Sequence, residues 1–128
     1  MGTDVHCFVE VKDRWGNWHL YNQPNVDRNY SLFEKMAGVR GEDENAIAPP
    51  RGLPNQLSML TRAMADHQQG HSQSWLTLAE IDAVEKWYRE QREGFTWPVF
   101  GFLFGNSYGK ASLIEPFVDA RMVFWFDS

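Results

Sequence analysis

The sequence has little cysteine, few basic residues and no long apolar run. Its one cysteine, Cys7, excludes an internal disulfide and suits a reducing compartment. Twelve Lys and Arg stand against 17 Asp and Glu, which gives a net charge of −5, and no basic cluster offers a face for a polyanion. We therefore expect no polymeric DNA or RNA partner. A small phosphate-bearing ligand is compatible with this charge, because two or three arginines suffice to bind it.

Segments that direct a chain to a membrane are also missing. No apolar run approaches the roughly 18 residues of a membrane span, and the first residues lack the basic and apolar regions of a signal peptide. We expect no membrane partner and a cytoplasmic location.

The common catalytic motifs are absent as well. The sequence contains no P-loop, no G-x-G-x-x-G after a strand, no G-x-S-x-G elbow and no paired C-x-x-C. Cys7 lies on the apolar side of a predicted strand, which favours a core position over a nucleophile. Whether the protein is an enzyme stays open at this point.

Aromatic residues are abundant, at 15% of 128 residues. A chain of this length fits one domain, residues 1–128, that buries roughly two thirds of its unfolded surface. Most aromatic side chains must therefore lie in the core. Four lie near loops or polar segments and are candidate platforms for a ligand ring, with stacking worth about 1–3 kcal/mol per base. We expect two of these four to contact a ligand: Trp15, Trp18, Tyr30 and Trp75.

Several segments predict β-strands. Residues 4–11 alternate between polar and apolar side chains, as in a half-buried strand. Residues 13–17 supply a turn, and residues 18–21 predict the returning strand of a hairpin. Near the C-terminus, aromatic-rich apolar runs at 99–104 and 122–126 are typical of strands covered on both faces.

Capping patterns predict the first helix and the loop after it. Ser31 and Glu34 form a capping box for a short helix that ends near Gly38. Residues 41–54 are rich in proline, glycine and charge, which predicts a loop.

Two further helices follow. Asn55 is the expected cap of the second, which Gly70 closes. Thr77 and Glu80 form a capping box for the third, which Gly94 ends. Together these elements predict an α+β fold, a mainly antiparallel sheet with about three helices packed on it in a single domain.

The polar side of the first strand carries Asp4, His6 and Glu10. Side chains two residues apart on a strand project to the same side, so Asp4 and His6 are neighbours. They fit a base with its orienting carboxylate, or a pair of metal ligands. The alternative is the solvent-facing side of an amphipathic strand, which needs no function.

A second candidate precedes the third helix. His67 and His71 have the spacing of zinc helices, but the glutamate of H-E-x-x-H is missing and Gly70 separates them, so a zinc-protease motif is excluded. His71, Ser72 and Ser74 precede a helix start, where hydroxyl and backbone N–H groups bind oxyanions or phosphate. The alternative is a capping loop whose hydroxyls bond only the backbone.

Three arginines lie beside turn-forming residues: Arg28, Arg40 and Arg51. Arginine is the side chain suited to bidentate binding of phosphate or carboxylate. The alternative for each is a solvated surface charge, and we expect it to hold for at least one.

Short motifs are spread over about residues 1–80. They are M-G-T-D-V-H with Glu10, R-N-Y-S-L-F at 28–33, A-G-V-R at 37–40, P-R-G-L-P at 50–54 and H-S-Q-S-W-L-T-L at 71–78. This set resembles a family of small uncharacterised bacteriophage and prophage proteins. Where the family often has His between the two serines, this sequence has Gln73.

The resemblance implies a phage origin and a cytosolic setting in the infected host cell. It also marks the polar residues that belong to the family pattern: Asp4, His6, Arg28, Asn29, Tyr30, Arg40, Arg51, His71, Ser72 and Ser74. Polar groups of these types on loops and strand edges indicate a site rather than packing.

The first hypothesis is an anti-defence protein that binds and sequesters a nucleotide-derived immune signal, of the cyclic nucleotide or ADP-ribose type. The three arginines hold phosphates, aromatic side chains such as Trp75 stack on the base, and His71 with the two serines completes the contacts. We expect a homo-oligomer, because one small domain offers limited depth for a pocket.

The second hypothesis is a phosphodiesterase-like hydrolase of the same ligand. His6 and His71 share the acid and base roles, Asp4 orients His6, and an arginine stabilises the transferring phosphate. This hypothesis requires no cofactor. In a metal-dependent version of it, Asp4, His6 and His71 are the ligands of a divalent metal ion. The third hypothesis is a non-enzymatic protein-interaction module. Ligand capture is favoured, because the sequence contains no complete catalytic motif.

Overall fold

The computed structural model describes residues 2–92, 99–100 and 116–128. Within these ranges, one antiparallel sheet has the strand order β2-β1-β4-β3. Its strands are β1 (Asp4–Lys12), β2 (Trp18–Asn22), β3 (His71–Thr77) and β4 (Asp119–Asp127). The helices are α1 (Tyr30–Ala37), α2 (Met59–Gln68) and α3 (Leu78–Gln91), with a 3₁₀ turn at Asp43–Asn45. The predicted α+β fold is confirmed.

Strands β1 and β4 form the centre of the sheet. They pair antiparallel over their full length, from Asp4 opposite Asp127 to Lys12 opposite Asp119. Every residue of β4 between its two ends is buried, which explains the continuous apolar run predicted as a strand at 122–126. The strand predicted at 99–104 lies outside the described residues, apart from Val99 and Phe100.

Helices α1 and α3 cover one face of the sheet. The alternating apolar residues of β1, including Cys7, point into this layer as expected. Phe33 of α1 packs edge-on against Phe126 of β4, with ring centroids 5.2 Å apart. The remaining core residues here include Leu32, Met36, Ile81, Val84, Met122 and Phe124. Their burial supplies the main driving force for folding.

Helix α2 and the loop before it cover the other face. Phe8 stacks on Trp125 with ring centroids 4.6 Å apart, and both are buried. The indole N–H of Trp125 donates to Oε1 of Gln68 at 2.9 Å, so this polar atom is satisfied inside the layer. Because both faces are covered, β1 carries buried residues on both of its sides.

The cap of α1 differs from the prediction. Asn29, not Ser31, is the N-cap, and its side-chain oxygen accepts the N–H of Leu32 at 3.2 Å. Glu34 instead accepts the N–H of Glu42 in the following loop. The helix ends before Gly38, as expected, at a φ of 76°.

Helix α2 also starts and ends elsewhere than predicted. Ser58 replaces Asn55 as the N-cap, and Gln69 at a φ of 49° closes the helix in place of Gly70. Gly70 is required by close packing, since a Cβ there would lie 2.5 Å from the carbonyl oxygen of Phe126.

The segment before α3 is a strand, which the sequence analysis did not predict; a capping loop was one of the two alternatives considered there. Residues of β3 pair with β4, with an irregularity between His71 and Ser74 and a positive φ of 55° at Ser72. The capping box of Thr77 and Glu80 is confirmed. The helix that it opens already ends at Gln91, and the predicted terminator Gly94 lies outside the described residues. None of the helices described is both long and apolar enough to cross a bilayer.

Candidate functional site

The structure places several of the predicted site residues in two separate groups, each of which includes a residue of β3. The first group lies where β1 begins and β4 ends, and we call it the sheet-end cluster: Asp4, His6, Arg28, His71, Asp127 and Ser128. The second lies on the α2 side of the sheet, and we call it the Arg51 groove: Trp18, Arg51, Leu53, Pro54, Asn55, Gln56, Trp75 and Arg121.

In the sheet-end cluster, His6 is paired with Asp127 and not with Asp4. The His6 Nε2 lies 2.5 Å from Oδ2 of Asp127. Asp4 is bound by Arg28 through two contacts, Nε–Oδ1 at 2.8 Å and Nη2–Oδ2 at 3.1 Å. The hydrogen bond from Arg28 lowers the pKa of Asp4, and the charges of Arg28 and His6 act in the same direction. Sequence reasoning missed Asp127, because only the pairing of β1 with β4 places it beside His6.

His71 contacts the residue that follows Asp127. Its Nε2 lies 3.0 Å from the hydroxyl of Ser128, and its Nδ1 lies 3.0 Å from the hydroxyl of Ser72. The Ser128 hydroxyl also lies 3.0 Å from that of Thr3. These contacts join the beginning of β3 to both ends of the chain.

The two histidines lie on opposite faces of the sheet. The His6 ring centroid lies 6.5 Å from that of Trp125, which belongs to the layer under α2, and the His71 centroid lies 6.2 Å from that of Phe126, which belongs to the layer under α1 and α3. Successive residues of a strand point to opposite sides, so this separation follows from the register. The arrangement does not support an acid–base pair acting on one substrate. In the described part of the chain, no group of three or more His, Cys, Asp or Glu is placed to hold a metal ion.

Three further predicted residues make structural contacts near this cluster. Asn29 caps α1 and donates to the Tyr88 hydroxyl at 2.8 Å. The Tyr30 hydroxyl accepts the N–H of Thr3 at 3.1 Å, and the Arg40 guanidinium lies 4.4 Å from the Tyr30 ring centroid. The Tyr30–Thr3 bond holds the start of β1 against α1, and the Asn29–Tyr88 bond joins the start of α1 to α3.

The Arg51 groove has a volume of about 450 Å³ and contains two arginine–tryptophan pairs. The Arg51 guanidinium lies 4.8 Å from the Trp75 ring centroid, and that of Arg121 lies 3.8 Å from the Trp18 centroid. Two of the four predicted stacking platforms, Trp18 and Trp75, therefore line one groove. Trp15 does not line it and is 73% exposed on the hairpin turn.

Hydrogen bonds to β3 position the loop that carries Arg51. The N–H of Arg51 donates to the Ser74 hydroxyl at 3.0 Å, and the N–H of Gly52 donates to the carbonyl of Gln73 at 2.8 Å. Gly52 has a φ of 80°, a conformation that favours glycine. The buried Ser74 hydroxyl therefore supports the loop backbone, which was the alternative considered for it.

The Arg51 guanidinium is held at the groove by Glu80, the capping residue of α3. Its Nη1 donates to Oε1 of Glu80 at 2.7 Å and to the Trp75 carbonyl at 2.8 Å, and its Nη2 donates to Oε2 at 2.5 Å. The bond from Arg51 lowers the pKa of Glu80, and the carboxylate raises the pKa of Arg51. The side chains of Arg51 and Glu80 are 28% and 21% exposed, so both stay accessible to solvent.

The Arg121 side chain is more deeply buried than that of Arg51. Its Nη2 lies 2.7 Å from Oε1 of Glu10, and the same nitrogen donates to the Gln56 carbonyl at 2.6 Å. Sequence reasoning missed Arg121 as a groove residue, although a lone arginine beside the apolar run at 122–126 was a signal. Glu10, read there as part of a polar strand face, is fully buried.

Comparisons with known proteins give no match, whether against protein-family models, curated proteins or solved structures. The fold and the groove define a small α+β protein with an arginine- and tryptophan-lined surface site. The resemblance to phage proteins stays a prediction.

Proposed function

We propose that this protein binds and sequesters a nucleotide-derived, phosphate-bearing small molecule in the Arg51 groove. One observation carries the proposal, namely that the groove combines two tryptophans with two arginines. Indole rings stack on nucleobases, and guanidinium groups bind phosphate oxygens through paired hydrogen bonds.

The two arginines differ in burial and in their ion pairs, and we assign them different roles for that reason. Arg121 is buried and its charge is neutralised by Glu10, so it is not free to exchange a hydrogen bond with a ligand. Its role is to support the Trp18 ring and to add positive potential to the groove. Arg51 is paired with a partly exposed carboxylate, and a phosphate group can replace that carboxylate without burying an unpaired charge. Arg51 is therefore the proposed phosphate-binding residue, and Trp75 beside it is the proposed stacking residue.

The resemblance to phage proteins supports a narrower form of the proposal. In this form the ligand is a host immune signal of the cyclic nucleotide or ADP-ribose type, and the protein acts against defence in the cytoplasm of the infected cell. We also propose a homo-oligomer, because a surface groove encloses only part of such a ligand.

The test is a retention experiment. The protein is incubated with cyclic dinucleotides and ADP-ribose-type molecules, free ligand is removed, and the protein is heat-denatured for chromatography of what is released. An intact ligand is expected, and Arg51→Ala should abolish its retention. Arg62→Ala, an exposed arginine on α2 outside the groove, is the matched control. If Arg51→Ala retains the ligand as well as Arg62→Ala does, the groove is not the site.

A second candidate function is hydrolysis of the same ligand class at the sheet-end cluster. The close contact of His6 with Asp127 favours it, because a carboxylate that orients an imidazole makes it an effective general base. Arg28, which is partly exposed and held by Asp4 through two hydrogen bonds, is the cation proposed to bind the phosphate. This candidate predicts a hydrolysed product in excess of one per protomer, and His6→Gln should abolish that turnover. If no ligand is retained or cleaved, the protein-interaction module is favoured.

A further inference from the structure

A second depression adjoins the Arg51 groove. It has a volume of about 640 Å³, lies between the β1–β2 hairpin and the start of α2, and is lined by residues 16–20 and 56–60. We call it the hairpin pocket. Trp18 and Gln56 line both it and the Arg51 groove, so the two form neighbouring parts of one surface.

The two depressions differ in charge. The Arg51 groove contains two arginines, whereas the hairpin pocket is lined by no Lys, Arg, Asp or Glu and has His19 as its one titratable lining residue, with Nε2 2.8 Å from Oδ2 of Asp13. Its lining residues include Leu20, Leu57, Asn17 and Gln56, together with the exposed Met59 and Leu60. Such a lining suits a neutral ring that has polar edges, since amides recognise base edges and the apolar groups cover a ring face.

The two depressions together offer more volume than one mononucleotide occupies. Each depression alone falls within the range of about 300–1,000 Å³ that is usual for small-ligand sites. A mononucleotide with its phosphate on Arg51 and its base on Trp75 leaves the hairpin pocket unused. A ligand with a second ring system reaches it past Trp18.

We infer that the ligand is a phosphate-linked pair of nucleosides, or of a nucleoside and a sugar, that spans Trp18. We call it a two-ring ligand, counting each nucleoside or sugar half as one ring unit. One nucleoside and a linking phosphate occupy the Arg51 groove, and the neutral ring of the second half occupies the hairpin pocket. This inference rests on the proposed function and names its ligand class more closely. Cyclic dinucleotides and ADP-ribose share this chemistry, and they differ in whether the second ring is a base with its ribose or a sugar alone.

The test compares AMP, cyclic di-AMP and ADP-ribose by calorimetry on the full chain. We expect at least one two-ring ligand to bind about tenfold or more tightly than AMP, a difference of about 1.4 kcal/mol. Asn17→Trp, which places a bulky side chain at the hairpin pocket and obstructs it, should remove this advantage and leave AMP binding unchanged. The turn should survive, because Asp13 accepts the backbone N–H of residue 17 and not its side chain.

Two further variants complete the design. Asn25→Trp, at an exposed loop position outside both depressions, should leave all affinities unchanged. If Asn17→Trp fails to fold, Met59→Trp is the second variant that obstructs the hairpin pocket, at a position that is 86% exposed and therefore tolerant of substitution. The inference is overturned if AMP binds as tightly as both two-ring ligands, or if the blocking variants weaken AMP equally. If AMP binds and Arg51→Ala abolishes it, the proposed function survives that result; if no nucleotide binds, both proposals fail.

Discussion

Arg121 and Glu10 face each other across the two central strands as a buried ion pair. They occupy opposed positions of β4 and β1, with Nη2 of Arg121 2.7 Å from Oε1 of Glu10 and side-chain exposures of 8% and 0%. Glu10 also accepts the N–H of Ser58 at 2.9 Å, and Arg121 donates to the Gln56 carbonyl. The pair therefore attaches the segment before α2 to the sheet and places a guanidinium on the Trp18 ring.

Glu10→Gln should destabilise the fold strongly. It leaves the Arg121 charge buried without its counter-charge, a change that costs about 3–5 kcal/mol. Urea unfolding measures the free energy of unfolding, and Glu90→Gln, at an exposed position of α3, is the control. A loss as small as that of the control would show that Arg121 does not depend on Glu10.

Glu80→Gln should strengthen ligand binding. The substitution removes the carboxylate that competes with a phosphate for Arg51, while glutamine preserves the capping box with Thr77. Because partly exposed ion pairs contribute about 0–1 kcal/mol, we expect a gain of up to about fivefold in affinity. Calorimetric titration against wild type measures it, and weaker binding by Glu80→Gln would contradict an anion site at Arg51.

Glu34 should make stability depend on acid pH. It accepts hydrogen bonds from the N–H of Glu42 and the amide of Asn45, and these bonds hold the pKa of its carboxyl below the ordinary value of 4.5. The stabilisation is complete above that value and is lost as the pH falls through the lower folded-state pKa. Glu34→Gln should therefore unfold at lower urea concentration than wild type near neutral pH, because the carboxylate is the stronger acceptor.

The same difference should disappear in acid, once wild-type Glu34 is protonated. Unfolding midpoints measured from neutral pH down to about pH 2 test this, with Glu44→Gln at an exposed position as control. A difference that is unchanged over this range would show that the Glu34 charge does not contribute.

Cys7 should be inert in the folded protein. Burial raises the pKa of its thiol to about 12, and the side chain is 3% exposed. Thiolate is the reactive form, so Ellman's reagent near pH 8 should label Cys7 only after denaturation. Stoichiometric labelling under native conditions at the rate of a free thiol would place Cys7 outside the core.

Local patterns sufficed for several elements of the fold. The alternation of β1, the Thr77–Glu80 capping box and the helix end at Gly38 each depend on residues within a few positions of one another. Their signals are therefore complete in a short stretch of sequence. The α+β class follows from such segments, because each has one apolar side that requires a partner layer.

Competing local options were decided by distant contacts. Asn29 and Ser31 are both good capping residues, and Asn29, which is the cap, also donates to Tyr88 on α3. Strand β3 has an irregular start and a positive φ at Ser72, so its own pattern is weak. It exists because β4, more than forty residues away in the chain, supplies its hydrogen bonds.

In the candidate site, too, some features followed from the sequence and others only from the tertiary structure. Residue types alone indicated Arg51 and Trp75 as ligand-binding groups, since guanidinium and indole suit phosphate and base. Only the tertiary structure joined them to Trp18 and Arg121 and separated His6 from His71. The physical reason is that side-chain chemistry belongs to each residue, whereas strand order and register, which depend on pairing between remote segments, decide which side chains share a face.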